Sequence, residues 1–342
     1  MTLSERKKKI LAAIVEIFIQ TGEPVGSKLL VEYLGMPVSS ATIRSDMAWL
    51  FEMGYLEQPH TSAGRVPSHL GYREYIDSIM RCDPLSQEER DEIDSLFNVR
   101  NPDPDRLLAD TAQALASYTN CATIASTYTP KTVRVSRIDL IAAGTNTVVI
   151  IVIATNGMIR SKVCRVDFIL TPKLIEFFIN FINSRLSGKS LDSISSEYIS
   201  SASVSLGEYS RIFTPILVSI YELCKEINDG HYFLSGGTRL LEYREFEQVA
   251  RDLLDLLGQK EKVQELITSD TGISVTIGKE NQPHELINSS VLVTHYDVGG
   301  QRAGAVAVVG PIRINYARII PHLEYFAKTL GELLSETLEP RD

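Results

Sequence analysis

Short hydroxyl side chains and one arginine lie close together in the segment SSATIRS, residues 39–45. Hydroxyls and the free N–H groups of a helix start can hold phosphate oxygens, and an arginine can donate two hydrogen bonds to a guanine edge. The alternative is an ordinary solvated helix face, because these residue types are common at surfaces. The candidate nucleic-acid contacts here are Ser39, Ser40, Thr42, Arg44 and Ser45, together with Lys28 on the preceding predicted helix.

A second candidate set lies in the segment PHTSAGRVP, residues 59–67. His60, Thr61 and Arg65 surround Gly64, a residue that tolerates a tight loop tip. Arg65 could reach a phosphate or a minor groove. The alternative is an exposed hairpin with no ligand, and His60 is interpreted as a polar loop residue rather than a metal ligand.

The elements that must position these residues follow from hydrophobic spacing. Helical periodicity predicts helices over 3–21, 27–34 and 39–53, with Ser39 capping the third. Short strands are expected at 55–57 and 65–66, on either side of the polar loop. Three helices followed by a two-stranded ribbon is the order of a winged helix-turn-helix. The lysines at 7–9 either contact phosphate or only solvate the start of the first helix.

The remaining chain predicts a multidomain α+β protein. The expected divisions are 1–80 for the winged helix-turn-helix, 81–104 for a linker, and 105–165 with 232–342 for one α+β domain in two halves. A mainly helical stretch, 166–231, interrupts that domain as an insertion. The strands expected between 122 and 166 are assigned to the first half of the α+β domain.

Charge and composition exclude several classes of function. The formal net charge is −9, yet residues 1–75 hold eight basic and eight acidic side chains, so the excess negative charge belongs to the remainder. The four cysteines lack metal-ligand or redox spacing and are expected to be reduced thiols. No motif for a nucleotide, a metal, a cofactor or a nucleophilic enzyme is present. No apolar stretch is long enough to span a membrane, so a cytoplasmic protein without cofactor is expected.

Several segments together resemble the HrcA family of heat-inducible transcription repressors. The most specific is the PHTSAGRVP loop within GYLEQPHTSAGRVPSHLGYREYID, residues 54–77. The others, in the expected order, are TGEPVGSKLL (21–30), VSSATIRSDMAWL (38–50), FLSGGTRLLEYREF (233–246), IGKEN (277–281) and GPIRINYARII (310–320). Ser45 stands where the family pattern has Asn, and Ile312 and Ile314 stand in a segment that usually reads Thr-Arg-Met.

The resemblance implies a winged helix, a GAF-like domain and an inserted dimerising domain. It also implies a homodimer that binds an inverted-repeat operator in double-stranded DNA ahead of chaperone operons, and a GroE chaperonin that keeps the repressor active. Two alternatives stay open. One is a small-molecule-responsive GAF-type transcription regulator. The other is an enzyme with a DNA-binding domain, which would need a Gly- and Arg-rich adenylate-binding loop that the sequence lacks.

Overall fold

The chain folds into helices and sheets that form three packed units. The structure is a computed structural model and describes residues 3–35, 37–60, 63–97, 103–127, 133–268 and 272–338. We name the units by their described residues: the head (3–80), the insert (133–228) and the body (103–127 and 229–338). Within the described residues, no helix has the length and apolar character needed to cross a membrane.

The head contains three helices followed by a ribbon. Its elements are α1 (Glu5–Thr21), α2 (Ser27–Leu34), α3 (Ser40–Glu52), β1 (Leu56–Glu57), β2 (Val66–Pro67) and α4 (His69–Glu74), which a single π-helical turn (Tyr75–Ile79) continues. The two strands pair antiparallel. Gly22 ends α1 with a left-handed backbone, and its N–H donates to the Phe18 carbonyl at 2.8 Å. The order and bounds of these elements agree closely with the sequence prediction.

The connector and the first half of the body and insert follow. They comprise α5 (Gln87–Leu96), α6 (Pro104–Thr119), β3 (Ala122–Thr127), β4 (Val135–Ala142), β5 (Thr147–Ala154), β6 (Ile159–Arg165), α7 (Pro172–Leu186), α8 (Ser196–Ser205) and α9 (Ser210–Asn228). The rest comprises β7 (Tyr232–Ser235), α10 (Ala250–Leu257), α11 (Lys260–Ile267), β8 (Ser274–Ile277), β9 (Ser289–Val298), β10 (Gln301–Pro311) and α12 (Tyr316–Leu338).

The body is built on one antiparallel five-stranded sheet with the strand order β7-β3-β10-β9-β8. One face packs against α6 and α12 in a core that continues into the head. The other face packs against α10 and α11 in a separate apolar cluster. Both faces are therefore covered, and residues of β3 and β10 are buried along most of their length.

The insert is larger than the sequence predicted. Strands β4, β5 and β6 pair only with one another in a three-stranded sheet, and their buried side chains share a core with α7 and α9. The insertion thus starts near residue 133 in the structure, rather than at 166. Apolar alternation predicts a strand but does not say which sheet the strand joins. The mainly helical part of the insert includes a short serine-rich helix, α8, whose start Ser195 caps.

Candidate nucleic-acid interface

The start of α3 is held by a hydroxyl cap. The Ser39 Oγ accepts a hydrogen bond from the Thr42 N–H at 3.2 Å and lies 3.0 Å from the Thr42 Oγ1. This cap satisfies one of the free N–H groups of the first turn and leaves the others open to solvent or a ligand. Ser40 is half-buried, and its Oγ lies 3.2 Å from the Ser27 Oγ, which joins α3 to α2.

The outward face of α3 presents a free cation. Ile43, Met47 and Leu50 are buried in the head, which leaves Arg44 and Ser45 exposed. Among the described residues, the Arg44 guanidinium has no hydrogen-bond or ion-pair partner, and Lys28 is likewise exposed without one. A guanidinium without an internal partner keeps all five of its N–H donors for an external ligand.

The ribbon lies against the segment between α1 and α2. The Val25 N–H donates to the Arg65 carbonyl at 2.8 Å, and the Arg65 N–H donates back to the Val25 carbonyl at 2.9 Å. A side chain at Gly64 would collide with the Val25 carbonyl oxygen. Gly64 is therefore required by this close approach of two backbones, and its φ angle is not positive.

The ribbon residues differ in how free they are. His60 is exposed, and Thr61 lies outside the described residues. Arg65 is half-buried, with its guanidinium carbon 4.7 Å from the centroid of the Phe51 ring near the end of α3. Its Nε is buried and has no hydrogen-bond partner among the described residues. The ring contact orients Arg65 beside α3 and leaves its Nε donor unused within the described part of the chain.

Asp46 is a structural residue of this surface that sequence reasoning missed. Its side chain is only 7% exposed. The Arg6 Nε donates to its Oδ2 at 2.7 Å, and the Lys7 Nζ lies 3.5 Å from Oδ1. Burial raises the pKa of Asp46, but the hydrogen bonds and charges of Arg6 and Lys7 outweigh it and lower the pKa overall. The available signal was spacing, since Asp46 falls three residues after Ile43 and four before Leu50, on the inward stripe.

Lysines at the start of α1 form ion pairs with other residues of the head. Lys7 pairs with Asp46 and lies 4.7 Å from the centroid of the Trp49 ring. Lys8 pairs with Glu5 at 3.3 Å. Two of the three lysines considered for phosphate contact therefore have internal partners. Within the described residues, no cluster of His, Cys, Asp and Glu could hold a metal ion.

Comparison with known proteins agrees with this architecture. The family model for the HrcA protein C terminal domain matches residues 105–320. A heat-inducible transcription repressor HrcA from Clostridium botulinum is 32% identical over 339 residues, covering 98% of this chain and 99% of that protein. The same repressor from Thermoanaerobacter pseudethanolicus is 33% identical over 343 residues, covering 98% of each. A crystal structure of a hypothetical protein shares the fold, with a TM-score of 0.68 and 24% identity over 98% of this chain and 100% of that one.

The matches first define a class of protein: the chain is a heat-inducible transcription repressor and not an enzyme. Within that class, the chain belongs to the HrcA family. The resemblance predicted from the sequence segments is thereby confirmed.

Proposed function

We propose that the head is a winged helix-turn-helix that binds an inverted-repeat operator in double-stranded DNA. The observation that carries this is Arg44, which is exposed beside the capped start of α3 and has no partner within the described residues. In this assignment α3 enters the major groove and Arg44 reads a base edge. Ser39, Ser40, Thr42, Ser45 and Lys28 hold nearby backbone, and the ribbon residues His60, Thr61 and Arg65 contact the flanking backbone or minor groove.

The second part of the proposal is that the chain acts as a homodimer joined through the insert. Within the described residues, the outer face of the insert sheet is uncovered, and it carries two apolar rows on either side of Asp139, Ile151 and Ser161. Strand pairing puts Ile141, Val149 and Val163 in one row across it, and Ile153 with Ile159 in another. Val163 is 65% exposed. An apolar sheet face of this kind is typical of a partner surface, and a second copy is the occupant that an inverted repeat requires.

The third part concerns regulation. We propose that the body is a GAF-like domain and that the protein works in the cytoplasm. Its operator would lie ahead of chaperone operons, and the GroE chaperonin would keep the repressor active. The family resemblance supports these assignments. The insert sheet adds a physical reason, because an unpaired chain exposes aliphatic surface, and misfolded or unassembled chains with such surface are what chaperones capture.

Nuclease footprinting on DNA upstream of the chaperone genes of the source organism tests the proposed function. We expect one protected region with two symmetric halves, and a larger protected fraction when the protein has been refolded with GroE and ATP than without. A shuffled duplex of the same composition is the control. Equal protection of the two duplexes would contradict operator binding, and equal activity with and without GroE would contradict the chaperonin assignment.

A further inference from the structure

A cavity of about 450 Å³ lies at the junction of head and body. The head contributes Phe18 of α1, both ribbon strands and Tyr72 of α4 to its wall. The body contributes Glu245, Ile287 and Arg313 among others. This volume falls within the range of small-molecule sites in proteins. The cavity is distinct from the outward face of α3.

Two buried polar atoms at this cavity have no hydrogen-bond partner among the described residues. Tyr72 is 3% exposed, and its hydroxyl is unpartnered. The Oε2 of Glu245 is also buried and unpartnered, whereas its Oε1 accepts from the Arg313 Nε. Buried polar groups in native proteins nearly always have a partner, so a cavity with two free ones at its wall is suited to a ligand that supplies the missing hydrogen bonds.

The chemistry of these atoms limits what such a ligand can be. An ionised carboxylate oxygen only accepts hydrogen bonds, so the group that meets Glu245 must be a donor. Burial raises the pKa of Tyr72 well above its ordinary value, so its hydroxyl keeps the proton and can both donate and accept. The apolar part of the wall includes Phe18, Ile287 and Ile312. A hydrocarbon or aromatic group would be buried there.

We infer that the cavity binds a small amphipathic molecule carrying an amino or hydroxyl group, and that its binding changes the affinity of the head for DNA. The amino or hydroxyl group donates to Glu245 Oε2 beside the Tyr72 hydroxyl. The second half of the inference rests on the proposed function of the head.

Ligand binding and DNA binding would be coupled because the wall of the cavity contains residues of both the head and the body. Glu57 and Pro67 of the ribbon and Tyr72 of α4 face the body residues across one space. Arg73 joins the same two units outside the cavity. Its Nη2 donates to the Glu280 carboxylate at 2.6 Å and to the Val275 carbonyl at 2.8 Å. A ligand that contacts both units favours one orientation of the head over others, and any such preference changes DNA affinity by linkage.

Three probes that share a phenyl ring test the site on the full chain: phenethylamine, phenylethanol and phenylacetate. Ligand-detected NMR titration measures their binding, which is expected in the millimolar range for molecules of this size. Phenethylamine and phenylethanol should bind saturably and more tightly than phenylacetate, because the Arg313 guanidinium is already paired with Glu245 and the free Glu245 Oε2 would repel a carboxylate. Tyr72→Phe should weaken the binding of phenethylamine and of phenylethanol by about three- to tenfold. Glu245→Gln should weaken phenethylamine more than phenylethanol, because only the amine loses a charged partner.

The control variant is Tyr198→Phe in the insert, whose hydroxyl donates to the Arg185 carbonyl at 3.0 Å, away from the cavity. It should leave all three affinities unchanged. Absence of saturable binding to the wild-type chain would mean that the cavity holds only water and would overturn the inference. Equal binding of the three probes, or equal effects of Tyr72→Phe and Tyr198→Phe, would overturn it too.

Fluorescence anisotropy with labelled operator then tests the coupling. The operator affinity of the wild-type chain should change when phenethylamine is saturating, and should change less in Tyr72→Phe at the same probe concentration. An operator affinity that stays the same would overturn the coupling. If the chain binds no operator even without probe, the proposed function fails, whereas the NMR titration still decides the ligand site.

Discussion

At the scale of single residues, the head depends on a buried carboxylate that fixes α1 to α3. Asp46→Asn removes the charge that Arg6 and Lys7 both meet. We expect the free energy of unfolding of the head to fall by about 1–2 kcal/mol, since charge-assisted hydrogen bonds contribute more than neutral ones. The single tryptophan, Trp49 on α3, reports the transition in a denaturant titration followed by fluorescence.

The matched control for Asp46 is another aspartate that pairs with an arginine at the surface. The Asp255 Oδ2 lies 3.9 Å from the Arg251 Nε on the exposed surface of α10 in the body. Exposed ion pairs contribute little, so Asp255→Asn should leave the Trp49 transition unchanged. Equal transitions for Asp46→Asn and Asp255→Asn would contradict the structural role of Asp46.

The residues of the candidate interface were predictable to different degrees. Exposure of Arg44 and Ser45 followed from helical spacing, because the apolar residues of α3 fix which face points inward. The ion pair between Lys7 and Asp46 was not predictable, because it depends on how α1 crosses α3. The stacking of Arg65 on Phe51 depends in the same way on tertiary packing.

At the scale of elements, the insert sheet has an apolar outer face that we propose to be covered by a second copy. Val163→Glu places a charge on that face, on the edge strand β6. Because burying an unpaired charge is costly, this variant should sediment as a monomer at concentrations where the wild-type chain is a dimer. Analytical ultracentrifugation measures the difference.

A helical surface of the same insert provides the control for the sheet face. Val204 on α8 is 78% exposed, so Val204→Glu makes the same chemical change on the other side of the unit. It should leave the dimer intact. If Val204→Glu dissociates the dimer and Val163→Glu does not, the helices of the insert carry the contact instead of the sheet.

Element types were easier to predict than their grouping. Alternating apolar residues identified β4, β5 and β6 as strands, yet the sheet they join is decided by long-range pairing. The sequence prediction therefore assigned these three strands to the body, whereas in the structure they belong to the insert. Helix α8 is rich in serine and has only a weak apolar stripe, so its start is indicated mainly by the Ser195 cap.

At the scale of the whole molecule, one buried and two half-buried histidines predict a pH dependence of stability. His322 of α12 stacks on Tyr118 and has one ring nitrogen 2.7 Å from the Arg318 carbonyl oxygen. Burial lowers the pKa of His322 below its ordinary value of 6.5, and burial also lowers the pKa values of His231 and His295. The unfolded chain therefore takes up protons at higher pH than the folded chain does.

The free energy of unfolding should consequently fall as the pH drops below the ordinary histidine pKa. It should level off once the pH is below the pKa values of these histidines in the folded chain. Each histidine contributes at most about 1.4 kcal/mol per pH unit in that window. His322→Gln should reduce the slope of melting temperature against pH between about pH 7 and pH 5, where ordinary carboxylates remain ionised. An unchanged slope would contradict the assignment of His322 as a buried neutral histidine.

The arrangement of the units was the least predictable part of the fold. The order of helices and strands along the chain was readable from periodicity, and the insertion into one α+β domain stays a prediction from the same pattern. The junction was not, because Tyr72 and Glu245 come from distant segments that meet only when α4 packs on the body. A cavity between two units has no periodic signature in the sequence.

The most direct test of the central claim measures the affinity of the full chain for operator DNA when Arg44 is removed. Fluorescence anisotropy compares the wild-type chain with Arg44→Ala and with Arg251→Ala, an exposed arginine on α10 of the body. We predict that Arg44→Ala loses about 1–3 kcal/mol of binding free energy for the operator and loses discrimination against a shuffled duplex, while Arg251→Ala binds like wild type. Equal operator affinities for all three proteins would show that α3 does not read the operator.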